Sequence, residues 1–350
     1  MINLKETLPD VLKSLISFQS VTGEEKVFAD SIELLLSSYS GDMVRVHNSI
    51  VYKINANADS HIAFIGHIDT VPVEDSTTEA YEEAGYIYGR GACDMKAGLA
   101  VMLKMIDDIE SKFFDLKHNV SFVFYEGEEG PLPNGINLLL DKSLISDIDF
   151  AYVLEPTEGL YSVACLGSLT VKKTITGVSA HSANPRTGKS AMIEALQVCD
   201  AITRMDAEIN QDDNISGYPF YQTVNVTTFN TSNAFNVIPS QIELLINYRF
   251  SPKLNSEEAM DILLSYISEE NIEVIDNSPS CYAGDNSKEY LLPHIKKEVM
   301  QAWTDIAQLN NAGIPAVNYG PGSIKNAHKP DERIRIQELS DYYSNIILHL

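Results

Sequence analysis

The sequence predicts an α/β protein in which a mostly parallel, mixed sheet is interrupted by an inserted ferredoxin-like domain. Short apolar runs alternate with helical segments at both ends of the chain, whereas the middle has longer strands and a different order of strands and helices. Alternation of strands and helices is typical of parallel sheets, because each crossover between parallel strands is long enough to hold a helix. We therefore expect a discontinuous first domain, residues 1–167 and 280–350, and an inserted domain, residues 168–279.

The first domain is predicted to begin with two helices and to contain four buried strands. Helical spacing of apolar residues marks residues 4–18 and 24–36, with the breaker Ser20-Val21-Thr22-Gly23 between them. Four short apolar runs, bounded by turn residues, predict the strands. These runs span residues 61–65, 121–125, 151–154 and 314–318, with helices expected at 97–111 and 134–140.

The inserted segment predicts four strands and two helices. The order is βαββαβ, which is the split ferredoxin-like pattern. The apolar run at 314–318 is again a short buried strand like those of the first domain. The segment before it is therefore expected to be an insertion. Strands are predicted at residues 169–177, 221–230, 241–250 and 272–275, and helices at 190–209 and 256–270.

Composition excludes several classes of partner. The 350 residues carry a formal net charge of −24, from 49 acidic and 25 basic residues. Nucleic acids and anionic membranes need a basic surface, so we expect neither as a partner. We find no apolar run of membrane-spanning length, no signal peptide at the start of the sequence and no CxxC pair among the four cysteines. Together these features indicate a cytoplasmic protein.

Candidate metal ligands lie at the ends of the predicted strands and before one helix. Ligands bind beyond the carboxyl ends of the strands in open α/β sheets, so these side chains are expected to converge. Imidazole and carboxylate without thiolate suit Zn²⁺, Co²⁺ or Mn²⁺. Two metal ions become possible if one carboxylate bridges them, and such a pair can activate a water. In chain order the candidates are His67, Asp69, Asp94, Glu128, Glu129, Glu155 and His328.

Spacing suggests roles for two pairs of these residues. His67 and Asp69 are two apart, so on an extended chain Asp69 could orient His67. Glu128 and Glu129 are adjacent and should point apart, which favours one ligand and one general base.

Each candidate also has a simpler interpretation. A histidine after a strand is usually structural, and an acidic pair in so acidic a chain is usually on the surface. Asp94 could cap a helix, and Glu155 could be a turn residue. Because all these residues are predicted to lie at one edge of the sheet, a metal site is favoured over these simpler interpretations. The histidines without such company are predicted to be structural: His47, His61, His118, His294 and His349.

Seven strings in order resemble the co-catalytic zinc deacylases and exopeptidases of the aminoacylase and carboxypeptidase G2 type. The resemblance implies a two-domain fold whose inserted domain mediates homodimerisation. Each string is weak alone, but the ordered set is specific. The strings are GHIDTVP at 66–72, GRGACDMKAG at 89–98, EGEEG at 126–130, LEPT at 154–157, GVSAHSANP at 177–185, NVIP at 236–239 and AHKPDE at 327–332.

The resemblance implies a role for each matching residue. Two zinc ions would be bridged by one aspartate, whose peptide bond to the next residue is expected to be cis. The remaining ligands would form two pairs, and each pair would complete one of the two metal sites. A general base and a residue that supports the first histidine would lie beside them. By position, Asp94 would bridge, His67 and Glu155 would complete one site, Glu129 and His328 the other, Glu128 would be the base, and Asp69 would support His67.

Further residues match the family's substrate contacts. His181 matches a histidine that reaches the partner subunit's active site and stabilises the oxyanion. Asn236 and Arg249 match substrate-binding positions, although Arg249 could equally form a structural ion pair. Gly322 and Ser323 lie where a loop contacts the substrate.

Within the family, residues 236–252 and 303–322 most resemble the succinyl-diaminopimelate desuccinylase branch in its actinobacterial form. This likeness implies hydrolysis of N-succinyl-LL-2,6-diaminopimelate in lysine biosynthesis. Glu126 and the string NPRTGKSA depart from the family pattern and leave the acyl group open. The alternatives are an N-acetyl-ornithine or N-acetyl-lysine deacylase, a dipeptidase, and a metal-binding protein without activity. Calcium is disfavoured because it takes oxygen ligands.

Overall fold

The structure is a computed structural model that describes residues 2–73, 79–111, 114–130, 132–209 and 213–350. The chain divides into two compact units. Among the described residues, no helix combines the length and the apolar character needed to span a membrane. The first unit comprises Met1–Val163, Ala283–Glu298 and Gln308–Leu350, and the second comprises Ala164–Tyr282 and Val299–Ala307.

Three segments lie in a different unit from the one expected. Residues 164–167, 280–282 and 299–307, which were expected in the first domain, belong to the second unit. Within that unit the backbone N–H of Leu166 donates to the carbonyl of Ala302 at 3.1 Å. This pairing joins residues far apart in sequence, and for that reason local pattern did not predict it.

The chain up to residue 165 supplies most of the first unit. Its helices and strands are α1 (Leu8–Ile16), α2 (Lys26–Leu36), β1 (Asp42–Val46), β2 (Ser49–Ile54), β3 (His61–His67), β4 (Tyr81–Glu83), β5 (Tyr86–Tyr88), α3 (Lys96–Glu110), β6 (Asn119–Tyr125), α4 (Gly135–Asp141), β7 (Phe150–Val153) and β8 (Tyr161–Cys165).

The later elements belong to the second unit and then to the returning chain. They are β9 (Gly167–Thr176), β10 (Ala180–His181), α5 (Ala191–Ile209), β11 (Asp213–Ile215), β12 (Tyr218–Phe220), β13 (Thr223–Asn230), β14 (Val237–Ile238), β15 (Gln241–Phe250), α6 (Ser256–Tyr266), β16 (Ile272–Ser278), β17 (Cys281–Tyr282), β18 (Lys297–Met300), α7 (Ile306–Asn311), β19 (Ala316–Asn318), β20 (Arg333–Arg335) and α8 (Ile336–Ile346). Short 3₁₀ helices occur at Pro185–Thr187, Asp285–Tyr290, Ile324–Asn326 and Ile347–His349.

The main sheet of the first unit has a parallel centre and antiparallel edges. Its order is β1-β2-β6-β3-β7-β19-β8. The four central strands β6, β3, β7 and β19 are the four predicted apolar runs, and each neighbouring pair is parallel. β3, β7 and β19 are buried along their whole length, as expected for central strands covered on both faces. The predicted α/β fold class is therefore confirmed.

A neutral histidine network lies in the core of the first unit. The Tyr152 hydroxyl donates to the carbonyl of Tyr290 at 2.6 Å, so it accepts from His349 Nδ1 at 2.9 Å. The Tyr161 hydroxyl accepts from the Leu292 N–H and lies 2.8 Å from His349 Nε2, to which it donates. Burial lowers the pKa of His349 to about 4. His349 is thus a structural residue, as predicted, and is held in one neutral tautomer.

The second unit has the predicted ferredoxin-like order. Its antiparallel sheet runs β13-β15-β9-β16, and α5 and α6 contact its strands. Alternate residues of β15 are buried, from Ile242 to Phe250, so one face of the sheet packs into this unit's core. Two short antiparallel pairs, the long-range pair β10–β14 and the hairpin β11–β12, were not predicted because their strands are only two or three residues long.

Candidate metal centre

The carboxyl edge of the parallel strands brings the candidate ligands together. His67 is the last residue of β3, and Glu155 follows β7 by two residues. Asp94 precedes α3 but does not cap it, since the N-cap is Met95 and has no side-chain cap. The interpretation of Asp94 as a helix cap is therefore wrong. The Asp94–Met95 peptide bond is cis, as expected.

Asp94 lies between two imidazoles. Its Oδ1 is 3.2 Å from His67 Nε2, and its Oδ2 is 3.3 Å from His328 Nε2. Each oxygen of one buried carboxylate therefore faces a different histidine. A carboxylate that bridges two cations needs this arrangement.

A further carboxylate completes a group around each histidine. Glu155 Oε1 lies 3.8 Å from His67 Nε2, and Glu129 Oε1 lies 2.9 Å from His328 Nε2. In each three-residue group that includes Asp94, the potential ligand atoms lie within 4.8 Å of one another. Both groups offer nitrogen and oxygen donors without sulfur, which fits Zn²⁺, Co²⁺ or Mn²⁺.

The adjacent glutamates converge instead of pointing apart. Potential ligand atoms of Glu128, Glu129 and His67 all lie within 4.8 Å of one another. The expectation of opposite directions assumed an extended chain, but Glu128 and Glu129 lie in a turn that follows β6. Both carboxylates are thus near His67, and Glu129 also contacts His328.

Asp69 holds this turn with its carboxylate. Oδ1 accepts the N–H of Glu128 at 3.1 Å, and Oδ2 accepts the N–H of Glu129 at 3.0 Å. The Thr22 hydroxyl donates to Oδ2 at 2.8 Å. His67 Nδ1 is closer to the backbone carbonyl of Asp69, at 3.0 Å, than to its carboxylate, at 3.5 Å. Asp69 therefore orients His67 through its main-chain carbonyl, and its carboxylate mainly holds the glutamate turn, which contains Glu128 and Glu129.

Sequence reasoning missed Thr22 as part of this site. It was noted only within the breaker between two helices, and 47 residues separate it from Asp69. The isolated bridge between Val21 and Thr70 brings the two segments together. No periodic pattern marks such a contact.

The field at the centre is strongly negative. Hydrogen bonds with Asp94 and Glu129 raise the pKa of His328 to about 10. Burial opposes ionisation of Asp94, but hydrogen bonds from His328 and His67 hold its pKa below its usual range. Burial lowers the pKa of His67, but hydrogen bonds with Asp69 and Asp94 raise it above its usual range. A divalent cation would neutralise the same charge, so the residues fit a metal.

Two predicted substrate residues lie side by side in the second unit. His181 pairs with Val237, and the Ser182 N–H donates to the carbonyl of Asn236 at 2.8 Å. His181 is exposed, and its Nδ1 accepts the Ala183 N–H at 3.1 Å. Its Nε2 is therefore the nitrogen that would carry the proton.

Arg249 lies on β15 of the same unit. Burial lowers the pKa of its guanidinium. Its Nε donates to Asn247 Oδ1 at 3.0 Å, and this contact holds the side chain against the sheet.

The Gly322–Ser323 loop packs beside the residue that precedes Asp94. Gly322 has a φ of +87°, and a Cβ there would lie 2.8 Å from Cys93 Cβ, so both backbone and space require glycine. The Ser323 hydroxyl donates to Glu158 Oε1 at 2.6 Å. Ser323 is thus engaged with the protein, whereas Gly322 packs against Cys93, the residue that precedes Asp94.

An α/β sheet whose carboxyl edge gathers two imidazoles and several carboxylates is typical of a metal-dependent enzyme. Residues 63–346 match the family model described as peptidase family M20/M25/M40. The chain belongs to this family and is a metal-dependent amidohydrolase.

Individual relatives agree with this membership. The chain is 31% identical over 344 residues to a succinyl-diaminopimelate desuccinylase of Corynebacterium glutamicum, covering 93% of this chain and 91% of the relative. A Staphylococcus aureus tripeptidase matches with a TM-score of 0.77 and 24% identity, covering 100% of this chain and 98% of that one. The aminopeptidase PepT of Bacillus cereus matches with a TM-score of 0.79 and 21% identity, covering 99% and 98%. The two structural likenesses concern the fold.

Proposed function

We propose that the protein is a di-zinc deacylase that hydrolyses N-succinyl-LL-2,6-diaminopimelate to succinate and LL-diaminopimelate. The observation that supports the dinuclear centre best is Asp94, whose two oxygens face His67 and His328 separately. The desuccinylase from Corynebacterium glutamicum, 31% identical over nearly the whole chain, favours this substrate. Such a biosynthetic role would place the enzyme in the cytoplasm.

Two groups of side chains would hold the metal ions. His67, Asp94 and Glu155 would hold one, and Asp94, Glu129 and His328 the other. Zinc at these positions would supply Lewis acidity and a water that ionises near neutral pH.

Glu128 would move the protons of the reaction. It would take a proton from the attacking water and return it to the leaving amine, which leaves as the amino group of diaminopimelate. The hydrogen bond from the Glu128 N–H to Asp69 holds the backbone of the base in place. An adjacent carboxylate, Glu129, would meanwhile serve as a ligand.

Substrate contacts would come from the inserted unit and the Gly322 loop. His181 would donate to the developing oxyanion, since its Nδ1 already accepts a backbone N–H. Arg249 would bind a substrate carboxylate with charge-assisted hydrogen bonds, and Asn236 would bind a polar substrate group. Gly322 and Ser323 would contact the substrate beside the metals.

The proposed active form is a homodimer in which His181 serves the other subunit's centre. The second unit exposes apolar side chains on helix α5 and on the edge strand β13. These are Ile193 and Leu196, 64% and 58% exposed, and Phe229, 38% exposed. Sedimentation equilibrium of the wild type and of a variant with Ile193→Glu and Leu196→Glu tests this assembly; a monomeric wild type with full activity would exclude it.

The substrate is tested by hydrolysis with zinc-loaded protein. N-succinyl-LL-diaminopimelate, N-acetyl-ornithine, N-acetyl-lysine and a dipeptide are offered at equal concentration, and the released acid or amine is measured. Preferential release of succinate is expected. Preferential release of acetate, or cleavage of the dipeptide alone, would keep the metal centre and exclude the desuccinylase assignment.

Glu128→Gln tests the proton transfer. Removal of the base should lower kcat by about a thousandfold, within the range for general acid–base catalysis, with two metal ions still bound. Glu126→Gln is the matched control, because Glu126 lies on the same turn and its carboxylate instead accepts the Asn48 N–H. A Glu128→Gln enzyme that turns over at the rate of the control would exclude Glu128 as the base.

A further inference from the structure

Glu332 is a buried carboxylate that contacts the segment holding Asp94. It is 2% exposed and follows His328 by four residues. Its Oε1 accepts the N–H of Cys93 at 3.0 Å and the N–H of Asp94 itself at 3.1 Å. Its Oε2 forms an ion pair with Arg90 Nη1 at 2.8 Å. Buried charge is tolerated only with such partners, and here the partners come from residues 90–94.

The main chain fastens the same two segments. The Gly89 N–H donates to the carbonyl of Glu332 at 3.0 Å. Directly after Glu332, β20 pairs with β5 in antiparallel register, so that Arg333 lies opposite Tyr88. The strand pairing, a backbone hydrogen bond and the carboxylate therefore act together, and the carboxylate is the part that reaches the Asp94 backbone.

The two halves of the centre differ in how they are supported. His67 is at the end of a buried central strand, and its Nδ1 is fixed by the Asp69 carbonyl at 3.0 Å. His328 lies in a loop, its side chain is 50% exposed, and its φ is +61°. The sheet holds His67, whereas the position of His328 relative to Asp94 depends on contacts between their loops.

We propose that Glu332 is a positioning residue that keeps the Asp94 carboxylate in register with His328, so that the group Asp94–Glu129–His328 binds its metal ion tightly. The inference rests on the bridging role of Asp94 in the proposed function. Glu332 itself touches neither histidine in the contacts described, and acts through the backbone of Asp94 and through its own short connection to His328. Groups that orient metal ligands in this way contribute about 10–100-fold to metal affinity.

Metal titration of the metal-free enzyme tests the proposal without any substrate. Zn²⁺ binding to the wild type and to Glu332→Gln is measured by isothermal titration calorimetry with a competing chelator, and Co²⁺ absorption reports the coordination. The wild type should bind two ions. In Glu332→Gln one Kd, that of the Asp94–Glu129–His328 group, should rise about 10–100-fold while the other Kd changes by less than about threefold.

Glu110→Gln is the matched control. The Glu110 carboxylate also accepts a backbone N–H, from Gly41 at 3.2 Å, and the Ser40 hydroxyl at 2.7 Å, but it contacts no candidate ligand. Its loss should leave both metal affinities unchanged even if the melting temperature falls. Equal weakening of both sites by Glu332→Gln, or no weakening, would overturn the proposal.

A second pair of variants assigns the affected site. In a His328→Ala background the Asp94–Glu129–His328 site is already disabled, so Glu332→Gln should have no further effect on the remaining Kd. If Glu332→Gln does not fold, Arg90→Gln leaves the Glu332 amide contacts in place and should weaken the same site by a smaller factor; unchanged affinity would refute the role. A wild type that binds one ion would refute the bridging centre, whereas two ions without desuccinylase activity would refute only the substrate.

Discussion

Replacing Asp69 by asparagine is expected to disable the turn that holds Glu128 without removing any metal ligand. The Asp69 carboxylate accepts from the backbone N–H groups of Glu128 and Glu129 and from the Thr22 hydroxyl, at 3.1, 3.0 and 2.8 Å. An asparagine has the same shape but only one oxygen. Its amide nitrogen cannot accept, so one partly buried N–H of the turn loses its partner.

The size of the effect follows from these contacts. A buried donor left unsatisfied costs about 1–3 kcal/mol, and each bond that loses a charged acceptor weakens by about 1 kcal/mol. One unsatisfied donor and two weakened bonds together cost about 3–5 kcal/mol. If the turn relaxes to relieve this cost, the base leaves its position, and 3 kcal/mol of lost transition-state stabilisation corresponds to about a hundredfold in kcat.

Steady-state kinetics and metal analysis of Asp69→Asn measure the effect, with Thr22→Val as a graded comparison. Thr22→Val removes one hydroxyl donor and leaves both amide contacts, so a loss of less than tenfold is expected. Asp69→Asn should keep two metal ions. A kcat within threefold of the wild type would refute the reasoning, and loss of a metal ion would show that the carboxylate acts instead through His67.

Two further predictions concern the core and the substrate. The folded-state pKa of His349, about 4, lies below its ordinary 6.5. As the pH falls, the unfolded chain therefore takes up a proton before the folded protein does. Through this group the free energy of unfolding should drop by about 2 kcal/mol from pH 8 to pH 5. Urea unfolding of His349→Gln should lack that part of the pH dependence, and an identical pH profile would contradict it. Arg249→Lys should raise KM about tenfold with a smaller change in kcat, because lysine cannot form the paired hydrogen bonds to a carboxylate. An unchanged KM would show that Arg249 has a structural role and does not bind the substrate.

Local pattern was enough to predict the four central strands of the first unit and the βαββαβ order of the second unit. The four central strands are continuous apolar runs because both of their faces are covered, and this leaves a signal in any short window of sequence. The ligands were found because parallel strands end at one edge, so a residue's place after a strand implies its neighbours in space. His67 and Glu155 show this directly, since each lies at or just after the end of its strand.

Predictions from an assumed extended chain were less successful. Glu128 and Glu129 converge because they lie in a turn, where neighbouring side chains are not forced to opposite faces. Asp69 was expected to support His67, but its carboxylate mainly holds the glutamate turn. The local conformation after a strand ends was not predictable from spacing.

The sequence by itself determined the α/β architecture, the ferredoxin-like order and the set of residues that meet at the carboxyl edge. Only the tertiary structure decided which groups hold them in place. Glu332 reaches the Asp94 backbone across 238 residues, and Thr22 reaches Asp69 across 47. Hydrophobic periodicity is repeated along a segment and can be read locally, whereas a single hydrogen bond between distant segments exists only once the chain has folded and leaves no repeat behind.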